Sequence, residues 1–226
     1  MQVSLRRPLS NDFRMQEAYK ILRTNILFCG KNLRTILITS CVPNEGKTTV
    51  SINLAISMAE LGEKVLLIDC DLRRPSLIKA VDSRVNIKGL SHYFSGQKEA
   101  YEIIYNTKFE NLDVVFSGKI PPNPSELLAN SDFKQFINNA RDKYDYIIID
   151  TPPLGSVIDS AIVAENCDGA ILVVESEKDS YKYVNSIKAQ LSRSGCSILG
   201  VVLNKCSAKK DSYYYYNKKN YYYSSW

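Results

Sequence analysis

The stretch "CVPNEGKTT", residues 41–49, sets a glycine, a lysine and two threonines in a row. Its end matches the second half of the phosphate-loop pattern G-x-x-x-x-G-K-[ST]. Each residue type has a physical task there. Gly46 lets the backbone come close to a ligand. Amides at the loop and helix start favour negative charge. Lys47 can reach β- and γ-phosphates, and the Thr48 hydroxyl can join a magnesium shell. The candidate contacts for ATP or ADP are Asn44, Glu45, Gly46, Lys47, Thr48 and Thr49. Cys41 fills the position of the pattern's first glycine. Pro43 pre-sets one φ and Asn44 tolerates a left-handed backbone. Glu45 fits beside a triphosphate only if its side chain points away.

Two further stretches add carboxylates. In "VLLIDCDLRRP" (65–75), Asp69 and Asp71 stand at i and i+2 where an apolar strand runs out. Strand alternation points them to one side, at the strand end where open α/β sheets bind ligands. Together they can hold Mg²⁺ and accept a hydroxyl proton. A plainer alternative pairs them with Arg73 or Arg74. In "YIIIDTPP" (146–153), Asp150 ends another apolar strand, the setting of a magnesium-side aspartate in P-loop proteins. Thr48, Asp69, Asp71 and Asp150 are thus the candidate metal ligands. Lys47 and the three aspartates are the candidate catalytic groups.

These residues need a scaffold. Strands are expected near 34–40, 64–69, 112–118, 144–150, 168–176 and 197–204. They are apolar almost throughout, as strands buried on both faces are. Helices are expected at 15–29, 47–61, 124–143 in two pieces, 156–166 and 179–194, with short helices in the irregular 75–111. The alternation predicts an α/β fold: a doubly wound, mostly parallel sheet of the P-loop NTPase type. Asn123, Pro124 and Glu126 predict a capped helix start. The helix at 15–29 shows an apolar stripe of Met15, Tyr19, Leu22, Ile26 and Cys29 and a charged face of Glu17, Lys20 and Arg23. His92 is read as structural or surface. Cys41 and Cys70 are read as small packing residues, and Tyr93, Tyr101 and Tyr105 as cover for the sheet edge or surface.

The 226 residues suit one domain, read as 1–206, followed by a tail at 207–226. No apolar run nears the length of a membrane span, and the first residues lack a secretory apolar region. The six cysteines form no C-x-x-C pair and suit a reducing cytosol. Residues 205–226 hold five lysines against one aspartate, a net +4 of the chain's +5. Seven of the last fourteen residues are tyrosines. Contiguous phenols cannot all face a core, so the tail reads as low-complexity. Such a tail could stack on single-stranded nucleic acid, but the phosphate site makes its phenols better read as phosphoryl acceptors. No nucleic-acid partner is expected.

"CVPNEGKTT", "VLLIDCDLRRP" and "IIIDTPP" resemble the Walker A, Walker A′ and Walker B motifs of bacterial tyrosine kinases, the capsule and exopolysaccharide regulators. "EAYKILRTNI", "PPNPSELL", "GVVLNK" and the terminal tyrosine cluster extend the resemblance over nearly the whole chain. It is similar above all to free-standing Gram-positive kinases whose membrane adaptor is a separate polypeptide. The resemblance implies an ATP- and Mg²⁺-dependent protein-tyrosine kinase that phosphorylates its own tail in trans and regulates polysaccharide synthesis and export. It implies Tyr213, Tyr214, Tyr215, Tyr216, Tyr221, Tyr222 and Tyr223 as phosphoacceptors, and Asn204 beside the adenine. It implies a homo-oligomer through Glu17, Lys20 and Arg23, where Lys20 replaces an arginine of the family's E-x-x-R-x-x-R motif. Its implied partners are a polysaccharide co-polymerase type adaptor, whose cytoplasmic segment activates the kinase, and a tyrosine phosphatase. Its implied location is the cytoplasm, peripheral at the inner membrane face. The rival class is a positioning or partitioning ATPase switch, which needs a lysine where Val42 stands. An iron–sulfur carrier would want a C-x-x-C pair. A catalytically weak regulatory partner is the third reading.

Overall fold

The computed structural model describes residues 2–8, 12–30, 32–81 and 87–206. The tail and its seven candidate phosphoacceptor tyrosines lie outside the described residues. Among the described residues, eight strands form one sheet in the order β1-β4-β5-β3-β6-β2-β7-β8. They are β1 (Gln2–Val3), β2 (Thr35–Ser40), β3 (Val65–Asp69), β4 (Ile104–Thr107), β5 (Leu112–Val115), β6 (Tyr146–Asp150), β7 (Gly169–Glu175) and β8 (Ser197–Asn204). All neighbouring pairs are parallel except β4 with β5. Strand β2 is central, between β6 and β7, and its C-terminal end feeds the Gly46–Lys47 loop.

Seven α-helices among the described residues cover the sheet: α1 (Phe13–Phe28), α2 (Lys47–Ala59), α3 (Leu90–Phe94), α4 (Pro124–Ala129), α5 (Ser131–Arg141), α6 (Asp159–Ala164) and α7 (Tyr181–Ser192). Side-chain alternation splits the core into two layers. Ile36, Ile38, Leu67 and Ile148 pack toward α1 and α2. Leu37, Leu66, Ile147 and Leu172 pack toward α4 to α7. Helix α2 is apolar on nearly every side and correspondingly buried from Val50 to Ala59. Helix α1 screens it from outside.

The six expected strands and five expected helical regions are present, most of them trimmed by a few residues. The differences have local causes. Strands β1 and β4 are not among the expected ones: β1 has two residues, and β4 ("IYNT") lies within the irregular region. Tyr105 on β4 is core, not surface, at 1% exposure; its hydroxyl accepts from the Lys88 amide and its ring meets Phe116 edge-on. Tyr93 packs between Phe94 and Phe136, and of the three tyrosines only Tyr101 is exposed. His92 is buried, its Nδ1 accepting from the Gly89 amide at 3.2 Å. In α1 the stripe holds at Tyr19 and Ile26, but Cys29 is exposed. At α4, Asn123 precedes Pro124 as expected, yet its amide donates to the Glu126 carboxylate at 2.7 Å and caps no backbone amide.

Candidate active site

The site forms where β2, β3 and β6 end. Asp69 and Asp150 are register partners on neighbouring strands, and both are fully buried. Asp71 follows two residues after Asp69. Lys47, the first residue of α2, points Nζ at Asp71 Oδ2, 3.3 Å away. Thr48 donates to Asp150 Oδ2 at 2.6 Å. The Ser51 hydroxyl lies 3.2 Å from Asp150 Oδ1. Sequence reasoning thus places Lys47, Thr48, Asp69, Asp71 and Asp150 in one cluster, and the structure brings all five together.

Two serines escape that reasoning. Ser51 stands one helical turn beyond Lys47, a spacing that puts both on one face. Ser76 lies 2.6 Å from the Thr48 oxygen. Since the one Thr48 proton goes to Asp150, Ser76 donates to Thr48. No local pattern marks Ser76.

The backbone of the 69–77 loop wraps its own carboxylates. Asp69 accepts from the amides of Asp71 (3.0 Å) and Leu77 (3.4 Å). Asp71 accepts from the Arg74 amide at 2.9 Å. Neither acid pairs with the arginines of "LRRP": Arg73 turns to Asp159 instead. Burial, then the nearby Asp150, holds Asp69 far above the usual carboxylate range. Burial likewise raises Asp150. Burial works against the Lys47 ammonium, but Asp150 and Asp71 outweigh it and hold its pKa up. Three carboxyl groups set oxygen donors side by side around one ammonium, and burial leaves Asp69 and Asp150 costly to ionise without a further cation. That donor set fits a hard divalent cation such as Mg²⁺. Thr48, Asp69, Asp71 and Asp150 would hold it.

The loop itself is built as its residues require. Asn44 adopts φ +69° and Gly46 φ +92°. Glu45 is turned inward and fully buried, its carboxylate accepting from the amides of Val42 and Glu175, each at 2.8 Å. It therefore braces the loop, and only its backbone remains to meet phosphate. Asn204 Nδ2 donates to the Glu45 carbonyl at 2.8 Å, and Lys205 Nζ to the Asn44 carbonyl at 2.7 Å. Thus β8 ends against the loop, and Asn204 contacts the loop backbone. Thr49 lies within α2, where its carbonyl accepts from the Asn53 side chain at 2.9 Å, and it is not joined to the acid cluster. Cys41 is buried, its thiol pushed up to about 12 chiefly by burial, which suits a small packing residue.

The Glu45 carboxyl also faces Asp179, whose Oδ2 is buried without a hydrogen-bond partner. Burial first, then the Asp179 contact, raises the Glu45 pKa despite the two amides that lower it. A raised folded pKa stabilises fully below the unfolded value, about 4.3. That contribution fades as pH rises through the higher folded value. Asp179→Asn replaces the facing carboxylate by an amide that can donate to Glu45 and removes the like charge beside it. It should stabilise the protein by about 1 kcal/mol at pH 8 and by less near pH 5. Urea titrations at both pH values check this.

On the charged face of α1, Glu17 and Lys20 form an i,i+3 ion pair at 2.7 Å. Arg23 departs from that face: its guanidinium donates to the Ser57 carbonyl of α2 at 2.5 Å. It fastens α1 to the domain, while Phe13, Ile21 and Phe28 leave the outer surface partly apolar.

A family model described as "AAA domain" matches residues 34–193. The tyrosine-protein kinase CpsD of Streptococcus agalactiae serotype Ia is 44% identical over 198 residues, 88% of this chain and 85% of that protein. Among solved structures, the chimerical protein CapA2B2 superposes with a TM-score of 0.83 at 32% identity, covering 91% of this chain and 92% of that one. The septum site-determining protein MinD of Pyrococcus horikoshii OT3, solved with Mg-ADP, gives 0.63 at 29% identity over 76% of this chain and 70% of that one. With a phosphate loop, three buried acids and these relatives, the chain belongs to the bacterial tyrosine kinases, protein-tyrosine kinases built on an AAA-type P-loop domain.

Proposed function

We propose that this kinase binds Mg-ATP in the cluster described above and transfers the γ-phosphoryl group to tyrosines of its own tail, Tyr213–Tyr216 and Tyr221–Tyr223, in a neighbouring subunit. The observation that carries the reading is the linked set Lys47, Thr48, Asp71 and Asp150, joined by hydrogen bonds at adjoining strand ends. MinD, a relative of the same fold, was solved with Mg-ADP. When bound, the metal would neutralise charge on the transferring phosphate.

The chain's own groups divide the work. Lys47 stabilises phosphate charge. The loop amides cradle the anion. Asp71, the only one of the three acids with measurable exposure, accepts the phenol proton at Oδ2. A phenol with a pKa of about 10 is a poor nucleophile near neutrality, so a positioned base matters. The Lys47–Asp71 contact couples the two roles. A phosphate that draws the ammonium away leaves Asp71 with an open acceptor.

Tail phosphorylation would change association. Each phosphate adds about −1.5 to −2. Seven would carry the tail from +4 to roughly −6 to −10. Such a tail would no longer dock beside ATP phosphates, and subunits joined through the Glu17–Lys20 face would part. The family resemblance supports a role for this cycle in capsular or exopolysaccharide synthesis and export. There the kinase sits at the inner membrane face through an adaptor, and a tyrosine phosphatase resets it.

The test incubates the full chain with Mg-ATP, with and without the adaptor's cytoplasmic segment, and follows intact mass and native size. The expected result is stepwise phosphate addition mapped to the seven tail tyrosines, with loss of the larger species. ATP turnover without protein phosphotyrosine would instead mark a nucleotide switch and defeat the proposal.

A further inference from the structure

Arg73, Asp159 and Ser125 come from three separate segments and meet in one closed network. Arg73 Nε donates to Asp159 Oδ2 at 2.8 Å and Nη2 to Asp159 Oδ1 at 3.0 Å. Arg73 Nη2 also donates to the Ser125 hydroxyl at 2.8 Å, and that hydroxyl donates to Asp159 Oδ1 at 2.8 Å. Asp159 is fully buried. The bidentate fork fixes orientation as well as distance.

The three segments matter. Arg73 belongs to the loop after β3, which carries Asp71 and Ser76. The neighbouring Arg74 amide holds Asp71 Oδ1, and Ser76 holds Thr48. Asp159 opens α6, at the end of the segment that leaves β6 after Asp150. Ser125 stands in the first turn of α4, in "PPNPSELL". The network therefore ties the loop bearing Asp71 to α4 and to the start of α6, which the chain reaches nine residues after Asp150.

Stability alone does not explain a carboxylate buried there. The Asp159 side chain is fully buried while that of Arg73 is 39% exposed, and apolar packing commonly serves a fold as well as a buried carboxylate and its partner do. What apolar packing cannot do is fix the angle of a guanidinium and, through it, the adjacent Arg74 amide. We infer that Arg73, Asp159 and Ser125 are positioning residues for phosphoryl transfer, which set the separation of Asp71 and Asp150. This rests on the assignment of those two acids to the site.

The test compares the full chain with Asp159→Asn, Ser125→Ala, Ser125→Thr, Arg73→Gln and the double variant Arg73→Gln/Asp159→Asn. Asp159→Asn and Arg73→Gln should each lower kcat about ten- to hundredfold, with KM for ATP held within about twofold, because the phosphate cradle lies elsewhere. Ser125→Ala should lower kcat less, and Ser125→Thr, which keeps the hydroxyl, should retain activity. The double variant should be no worse than the worse single one. The Mg²⁺ concentration that half-saturates ADP binding should rise in Asp159→Asn. That readout needs no turnover, so it decides the inference even if tail phosphorylation fails. Unchanged kcat and unchanged Mg²⁺ dependence in Asp159→Asn would overturn the proposal. So would single losses that multiply in the double variant, or a fall in kcat matched by equal loss of ATP affinity and melting temperature. If Asp159→Asn does not fold, Ser125→Ala with its threonine rescue decides between the two outcomes.

Discussion

Replacing Lys47 with methionine should lower phosphoryl transfer about 10²–10³-fold, the scale on which removing one preorganised charge-stabilising donor acts. Lys47 is the ammonium that meets Asp71, and its charge also acts on Asp150 and Asp69. Nothing else at the start of α2 can replace it: the next two residues are threonines. The fold should survive. Methionine matches the stem in length, and Asp69 and Asp150, already raised by burial, can take up a proton when the cation leaves. The same variant should bind ADP more weakly, since phosphate loses a direct partner. Initial rates of phosphotyrosine formation, ADP calorimetry and circular dichroism together check the three statements. Transfer that stayed within tenfold of the unmodified chain would remove Lys47 from the site.

Gly46→Ala should damage both nucleotide binding and stability, by a total of about 2–3 kcal/mol. Part is the backbone: Gly46 sits at φ +92°, in the left-handed half of the map that costs an L-residue roughly 1–2 kcal/mol. The rest is a clash. A Cβ there would overlap the amide nitrogen of Asn204. Asn204 can swing away, but it then gives up its bond to the Glu45 carbonyl, worth about 1 kcal/mol. Adding Asn204→Ser should recover little stability, because the backbone strain stays. It should also show that the two losses share a cause, since the double variant will fall short of the sum. Denaturant midpoints and ADP affinity for both singles and the double measure this.

Much of the architecture is legible in the sequence because its signals are local. A strand buried on both faces reads as a run such as "YIIID" or "AILVV". The phosphate loop is also local: glycine, lysine and threonine must be consecutive for the turn to become a helix around an anion. The acids at 69, 71 and 150 can be read because each closes an apolar run. What cannot be read depends on distance along the chain. Arg73 lies 86 residues from its partner Asp159, and nothing near either one names the other. Glu45 looks from sequence like a liability beside phosphate. One partner, the Val42 amide, is three residues away in the same loop, but the other, the Glu175 amide, appears only when β7 is laid beside β2. Tyr105 belongs to the core against expectation because a four-residue strand shows too few alternations to separate an inward from an outward phenol. Arg23 leaves its expected surface for a related reason: a long side chain can reach the backbone of a neighbouring helix, and spacing along its own helix does not record that.

The end of β8 is stitched to the phosphate loop twice, by Asn204 on the Glu45 carbonyl and by Lys205 on the Asn44 carbonyl. Asn204 and Lys205 are therefore held beside the phosphate loop. Tyr213 follows Lys205 by eight residues, so its radius of search from Lys205 is at most roughly 26–29 Å. Inserting or deleting spacer residues there changes which crevices, the parent's or a neighbour's, fall inside that radius. Any displacement of the phosphate loop would be passed mechanically, through Asn204 and Lys205, to the end of β8.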